Sequence, residues 1–121
     1  MEKEMRLGVI ESRFADLIWQ HEPVTTAQLT RLCAEKFYWK RTTTYTVLKR
    51  LSERGLFQNQ GGTVTSLLSR EEFYSLQSQK FVDQSFDGSL PAFLAAFTRN
   101  RKLTPEQASQ LRAIIDDYTE E

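Results

Sequence analysis

The segment from Arg41 to Arg54 is the feature that most constrains how this chain can fold. Placed at 100° per residue, one side of the predicted helix carries Thr44, Val47, Leu48 and Leu51. Gly55 follows and indicates where the helix ends. Four of the five residues from 42 to 46 are threonine, although β-branched residues are mediocre helix formers. Helix propensity therefore does not account for them, which favours a role for the opposite face of the helix.

That opposite face is polar and basic. It carries Thr42, Tyr45, Thr46, Lys49 and Glu53, with Thr43 and Arg50 at its flank. Short hydroxyl side chains beside lysine and arginine suit close approach to phosphates and base edges. An ordinary solvent-exposed face is the alternative, and threonine alone does not decide between the two.

Two amphipathic helices are predicted before this segment. The first is indicated by Ile10, Phe14, Leu17 and Ile18, and Pro23 ends it. The second begins with a capping box of Thr25 and Gln28. Its predicted buried stripe consists of Leu29, Leu32, Cys33 and Phe37.

A β-hairpin is predicted after Gly55. Residues 56–57 and 64–68 favour short strands on either side of Gly61 and Gly62. Three helices followed by a hairpin is the order of a winged helix-turn-helix, in which the third helix enters a DNA groove.

The remaining part of the chain is predicted to be helical. Apolar residues mark a helix within 71–82, which ends at Asp87-Gly88, and Ser89 caps the next helix. Thr104 and Gln107 form a second capping box, with Pro105 at the first helical position. This much exposed phenylalanine and leucine predicts burial against a second copy of the chain. Folding back onto the wing of the same chain is the alternative.

The charge distribution divides the chain in the same way. Sixteen basic residues balance sixteen acidic residues, which by itself argues against a nucleic-acid-binding protein. From Lys36 to Arg54, however, there are six basic residues and one acid, whereas from Thr104 onward there are five acids and one base, Arg112. Such asymmetry favours one segment that meets a polyanion, or else two solvated helix faces of opposite sign.

Several classes of protein are not expected. A single cysteine, Cys33, and a single histidine, His21, give no set of metal ligands, no disulfide framework and no nucleophile–base pair. No phosphate-binding loop or catalytic motif occurs, so an enzyme and a bound cofactor are not expected. The sequence has no transmembrane segment, and residues 1–4 lack the features of a signal peptide. The expected location is the cytoplasm.

The spacing of these residues resembles that of the penicillinase-repressor family of BlaI, MecI and CopY. The resemblance rests on Leu17-Ile18-Trp19, on Trp39 with Thr43, and on Leu48-Lys49-Arg50-Leu51 continuing to Arg54-Gly55-Leu56. It extends into the helical tail through Leu94-Ala95-Ala96-Phe97 and Leu103-Thr104, so it covers nearly the whole chain. It implies a mainly α fold with a small β-hairpin, in which a winged helix-turn-helix DNA-binding domain (1–69) precedes a helical dimerisation region (70–121).

The resemblance also implies a function and its residues. It implies a homodimeric transcriptional repressor that reads a palindromic operator in double-stranded DNA. The implied DNA contacts are Thr42, Thr43, Tyr45, Thr46, Lys49 and Arg50. The implied dimer core consists of Leu94, Phe97, Leu111, Ile115 and Tyr118. In β-lactam-responsive members a membrane-bound sensor leads to cleavage at an Asn–Phe bond, for which the matching bond is Ala96–Phe97; a core aromatic is the favoured interpretation of Phe97.

Departures from the family pattern refine these expectations. Lys40 stands where the family usually has a serine or threonine cap, and Tyr45 occupies a position that is often basic. The wing, residues 58–63, is uncharged, so weak phosphate contact is expected from it. The C-terminus lacks the cysteine cluster of copper-responsive members, so copper or zinc sensing through such a cluster is not expected. Two alternatives stay open: a winged-helix module that binds protein, and a regulator of another winged-helix family such as MarR.

Overall fold

Helices dominate the structure and a small sheet interrupts them. The computed structural model describes residues 7–120, so residues 1–4, which bear on the expected lack of a signal peptide, lie outside the described part. The elements in that part are α1 Val9–His21, β1 Val24–Thr25, α2 Thr26–Phe37, α3 Arg41–Glu53, β2 Phe57–Gln60, β3 Thr63–Ser66, α4 Arg70–Phe86, α5 Leu90–Thr98 and α6 Pro105–Tyr118. This order confirms the predicted fold, a winged helix followed by further helices.

The helix starts follow the local sequence signals. Thr25 Oγ1 accepts a hydrogen bond from the Gln28 amide at 3.1 Å, and Gln28 Oε1 accepts one from the Thr25 amide at 3.0 Å. Thr104 and Gln107 make the same reciprocal pair at the start of α6. Each pair satisfies two amide groups that have no partner within the helix. Both predicted capping boxes are therefore confirmed.

The sheet has one strand more than the predicted hairpin. β2 and β3 pair antiparallel with Phe57 opposite Ser66, and β1 adds to the other edge of β3 with Val24 opposite Val64. β1 was missed because it is only two residues long, too short for an alternating pattern. Its Val24 side chain is buried, so the strand ties the start of α2 to the wing.

The chain divides after Lys80 into two compact units, which we call the N-terminal unit and the C-terminal unit. The predicted boundary between residues 69 and 70 stays a prediction. α4, predicted within 71–82, begins in the N-terminal unit and continues to Phe86. It ends where Asp87 and Gly88 adopt positive φ angles of 51° and 78°, as the predicted break at this dipeptide indicates.

The N-terminal unit has a core that is closed to solvent. Its buried apolar residues come from α1, α2, α3, the sheet and the start of α4: Phe14, Ala15, Leu17, Ile18, Val24, Leu29, Cys33, Val47, Leu48, Leu51, Leu56, Phe57, Val64 and Phe73. The indole Nε1 of Trp19 donates to the carbonyl oxygen of Leu68 at 2.9 Å, which fastens the chain after the wing to α1.

One residue of the predicted stripe on α1 is placed differently. Ile10 is 48% exposed rather than buried. It lies in the first turn of α1, where the neighbouring Glu11 pairs with arginines of α3. Ile10, one of the apolar residues that indicated this helix, therefore lies at the surface, and the Glu11 carboxylate makes the contact between the start of α1 and α3.

The C-terminal unit has a different character. Its rings form a chain of contacts from Phe81 and Phe86 to Phe93, and Phe93 packs on Phe97, with centroid separations of 5.6 to 6.2 Å. No residue of α5 or α6 is fully buried, however. Apolar side chains on both helices are therefore still in contact with solvent.

Candidate nucleic-acid interface

α3 presents the two faces that its sequence pattern predicts. Thr44, Val47, Leu48 and Leu51 are buried against the core. The exposed residues include five of the six proposed DNA contacts, Thr42, Thr43, Thr46, Lys49 and Arg50, while Tyr45 is half-buried. α3 packs on α2 to complete the helix-turn-helix, so its polar face is the part of this motif that is available to a ligand.

The start of α3 is electrostatically positive. The N-cap residue, Lys40, makes no side-chain hydrogen bond to the helix, and no acidic residue lies in the first turn. Its carbonyl oxygen accepts from the amides of Thr43 and Thr44. A helix start with partial positive charge, and without an acidic side chain to offset it, favours an anion such as a phosphate.

Tyr45 connects α3 to α2 at one edge of the polar face. Hydrogen bonding by Thr26, the first residue of α2, and then by Arg41 lowers the pKa of the Tyr45 phenol. The guanidinium carbon of Arg41 lies 5.4 Å from the centroid of the Tyr45 ring, in cation–π contact. The phenol is therefore held in place before any ligand binds.

Arg50 lies at the opposite edge and is paired within the protein. Its Nη1 is 3.2 Å from Oε2 of Glu11 on α1, and Nη1 of Arg54 is 3.6 Å from the same oxygen. The other carboxylate oxygen of Glu11 accepts from the amide of Gly8 at 3.2 Å. Sequence reasoning missed Glu11, because 39 positions separate it from Arg50 and no local pattern joins them.

The hydroxyl of Thr46 is partly committed as well. It donates to the carbonyl oxygen of Thr42 at 2.8 Å, a common arrangement for threonine within a helix. Its oxygen keeps free acceptor capacity, so Thr46 suits a contact with a donor group rather than with a phosphate.

The wing closes with a tight two-residue turn. Gly61 and Gly62 both have positive φ, 61° and 88°, as a type I′ hairpin requires. Asn59 Oδ1 accepts from the Gly62 amide, and the Gly62 carbonyl accepts from the amide of Thr26. The wing is thereby joined to the start of α2 beside the polar face, and it brings no charged side chain there.

The proposed dimer residues fall into two groups. Leu94, Phe97 and Leu111 line one open groove in the C-terminal unit, together with Phe93, Leu103 and Ile114. Ile115 and Tyr118 do not line this groove, although both are exposed, at 55% and 83%. The burial of both groups in a dimer stays a prediction.

The Ala96–Phe97 bond lies inside α5. Ala96 is exposed, and the Phe97 ring contacts the Phe93 ring and the guanidinium of Arg101. Cleavage of this bond stays a prediction that rests on the resemblance.

Cys33 and His21, the single cysteine and the single histidine, have ordinary structural surroundings. Burial raises the pKa of the Cys33 thiol, which lies in the core. His21 Nδ1 donates to the carbonyl oxygen of Leu17 at 2.8 Å near the end of α1. Among residues 7–120, no three histidine, cysteine or carboxylate side chains are grouped to hold a metal ion. No helix in that range is long and apolar enough to cross a membrane.

Comparison with known proteins shows to which family the chain belongs. The family model described as Penicillinase repressor matches residues 7–117, a range that includes α1 through most of α6. The chain belongs to the penicillinase repressor family. A protein of Bacillus licheniformis named penicillinase repressor is 23% identical over 122 residues, which cover 98% of this chain and 95% of the relative. Membership identifies the chain as a transcriptional repressor and therefore as a regulatory protein.

Proposed function

We propose that this repressor is a homodimer that reads a palindromic operator in double-stranded DNA through α3. The observation that carries the proposal is the exposed face of α3, which offers hydroxyl and basic groups at the edge of a helix-turn-helix. In this arrangement the second helix of the motif lies in the major groove, and its N-terminal residues contact the bases.

The proposed contacts divide by chemistry. Lys49 and Arg50 meet phosphates, Thr43 meets a phosphate or a base edge, and Tyr45 meets a base edge or a sugar. Thr42 and Thr46 complete this contact face. To reach a phosphate, Arg50 exchanges the carboxylate of Glu11 for it, an exchange that its 54% exposed side chain permits.

A second copy of this chain is the proposed partner of the C-terminal unit. α5 and α6 bury no residue of their own, yet Leu90, Phe97, Ile114 and Ile115 are each about half exposed. An apolar surface of this kind is characteristic of an obligate interface. Since two-fold symmetry of a dimer matches that of a palindrome, the same contact also sets the form of the operator.

The uncharged wing and the zero net charge bear on how strongly DNA binding depends on salt concentration. Phosphate contacts come mainly from α3, so we expect few counterions to be released on binding. The salt dependence should accordingly be shallow for a DNA-binding protein.

The test is selection from a random duplex library by the full-length protein at two salt concentrations, followed by sequencing. The expected result is a palindrome whose recovery falls at higher salt. Lys49→Ala should recover less of it, and the control Lys102→Ala, at an exposed lysine of the C-terminal unit, should recover as much as the wild type. Failure of the folded wild-type protein to enrich any sequence would contradict the proposal and favour a winged-helix module that binds protein.

A further inference from the structure

We propose that Arg41, held against the ring of Tyr45, reads a guanine in each half of the operator. This inference rests on the proposed function, because it assigns a base to the N-terminal end of the helix already proposed to contact DNA. Arg41 was not among the contacts expected from the sequence. It is the first residue of α3, which is the end of a recognition helix that reaches base edges.

Arg41 is pre-organised by its contact with Tyr45. Its guanidinium lies over the ring of Tyr45, one helical turn further along α3. An arginine stacked on an aromatic ring has already lost part of its side-chain freedom, so less is lost when it binds. One N–H of the guanidinium bonds to the Tyr45 phenol, and since arginine carries five N–H donors, others stay available for hydrogen bonds to a ligand.

Tyr45 itself has partners on α2 and α3. Hydrogen bonding from Thr26, at the start of α2, lowers the pKa of its phenol, and Arg41 contacts its ring. The amide of Thr26 in turn donates to the Gly62 carbonyl of the wing at 2.9 Å. Tyr45, which Arg41 contacts, is therefore linked through Thr26 to α2 and to the wing.

Arg41 differs from the other two arginines of α3 and its C-cap in its partners. Arg50 and Arg54 are paired with Glu11, whereas among the described residues Arg41 has no carboxylate partner and faces a first turn without acids. A guanidinium that offers two parallel donors matches the O6 and N7 acceptors of guanine, which is the commonest specific contact of arginine in the major groove.

The test compares the sequences that four full-length proteins select from the same random duplex library. The wild type should select a palindrome with one fixed G·C pair in each half. Arg41→Ala should accept any base there, with at least a tenfold loss of affinity for the G-containing duplex. Arg41→Lys keeps the charge but loses the two parallel donors, so it should lose the same preference. The control is Lys40→Ala at the exposed N-cap, which should lower affinity for all duplexes alike and keep the G·C pair.

Two results distinguish a failure of this inference from a failure of the proposed function. If Arg41→Ala selects the same palindrome with a uniformly lower affinity, Arg41 contacts only phosphate and this inference is wrong. If the wild type selects nothing, the proposed function fails, and the assignment of Arg41 fails with it. Melting temperatures within about 2 °C of the wild type would show that the exposed substitutions leave the fold intact.

Discussion

The two units of this repressor differ in how completely they bury their apolar residues. The N-terminal unit closes three helices and a sheet around Phe14, Leu29 and Phe57, each at most 1% exposed. In the C-terminal unit, by contrast, α5 and α6 have no buried residue and Phe97 is 45% exposed. Burial of apolar surface is the main source of stability. The N-terminal unit therefore has a core of its own, whereas we expect the C-terminal unit to be completed by a second chain.

The largest expected effect breaks the core of the N-terminal unit. Phe14→Ala removes a fully buried ring that stacks on Trp39 at 5.7 Å, so we expect a loss of about 3–5 kcal/mol in the free energy of unfolding. Urea titration should show the same loss at every protein concentration. Phe14→Leu, which keeps most of the apolar volume, is the milder variant if the alanine variant does not fold.

Phe97→Ala is the matched substitution in the C-terminal unit. Because a partner chain would cover Phe97, its cost in stability should grow as the protein concentration rises into the range where dimers form. A cost that stays constant over a hundredfold range of concentration would contradict the difference between the two units.

The next effect tests whether the apolar groove joins two chains. Leu94→Asp puts a charge into the lining of this groove and should convert the dimer to a monomer, because an unpaired charge is costly to bury. Operator affinity should then fall by about a hundredfold, as the benefit of binding two half-sites is lost. Light scattering gives the mass, and fluorescence anisotropy gives the affinity.

The control for Leu94→Asp is Ala113→Asp. Ala113 is exposed on α6 and is not among the residues that line the groove. It should leave both the mass and the affinity unchanged. A dimeric Leu94→Asp variant would place the interface elsewhere.

A smaller effect is expected from a substitution on the polar face of α3, in the N-terminal unit. Arg50→Ala should weaken operator binding about tenfold and reduce the slope of log affinity against log salt by about one, because one phosphate contact is lost. The dimer should persist. The exposed pair with Glu11 adds little to stability, at most about 1 kcal/mol.

Glu11→Gln is the complementary change. It removes the charge that competes with phosphate for Arg50, so operator binding should become a few-fold tighter. Arg112→Ala, at an exposed arginine of α6, is the charge control for Arg50→Ala, and Glu106→Gln, at an exposed glutamate of the same helix, is the charge control for Glu11→Gln. Equal operator binding by wild type and Arg50→Ala would remove Arg50 from the DNA contacts.

The smallest expected effect is that of loss of the dimer on the core of the N-terminal unit. Burial raises the pKa of the Cys33 thiol, so the reactive thiolate is depleted at a given pH and the core blocks access to it. At pH 8, Ellman's reagent should react with native protein far more slowly than with protein in urea. Leu94→Asp should keep this protection, and rapid labelling of that variant would show that the two units are stabilised together.

The sequence predicts what short-range physics determines. The buried side of α3 followed from helical periodicity at Thr44 and Val47, and the helix starts at Thr25 and Thr104 followed from capping chemistry. These features depend on residues three or four positions apart, so no knowledge of tertiary contacts is needed to find them.

Contacts between residues that are distant in the sequence could not be predicted from it. The pairing of Glu11 with Arg50 and the strand β1 both depend on tertiary packing, which also placed Ile10 at the surface. The contact of Arg41 with Tyr45 was different, because residues four apart on a helix are neighbours. That spacing was a usable signal, whereas the anchoring of Tyr45 by Thr26 was not.

The central claim is that the N-terminal unit reads DNA while the C-terminal unit pairs two copies. The most direct test is the mass, by sedimentation, of the complex formed on the selected palindrome and on a duplex with only one half-site. The account predicts two chains on the palindrome and, on the half-site duplex, an affinity at least a hundredfold weaker. One chain per palindrome, bound as tightly as to the half-site duplex, would contradict it.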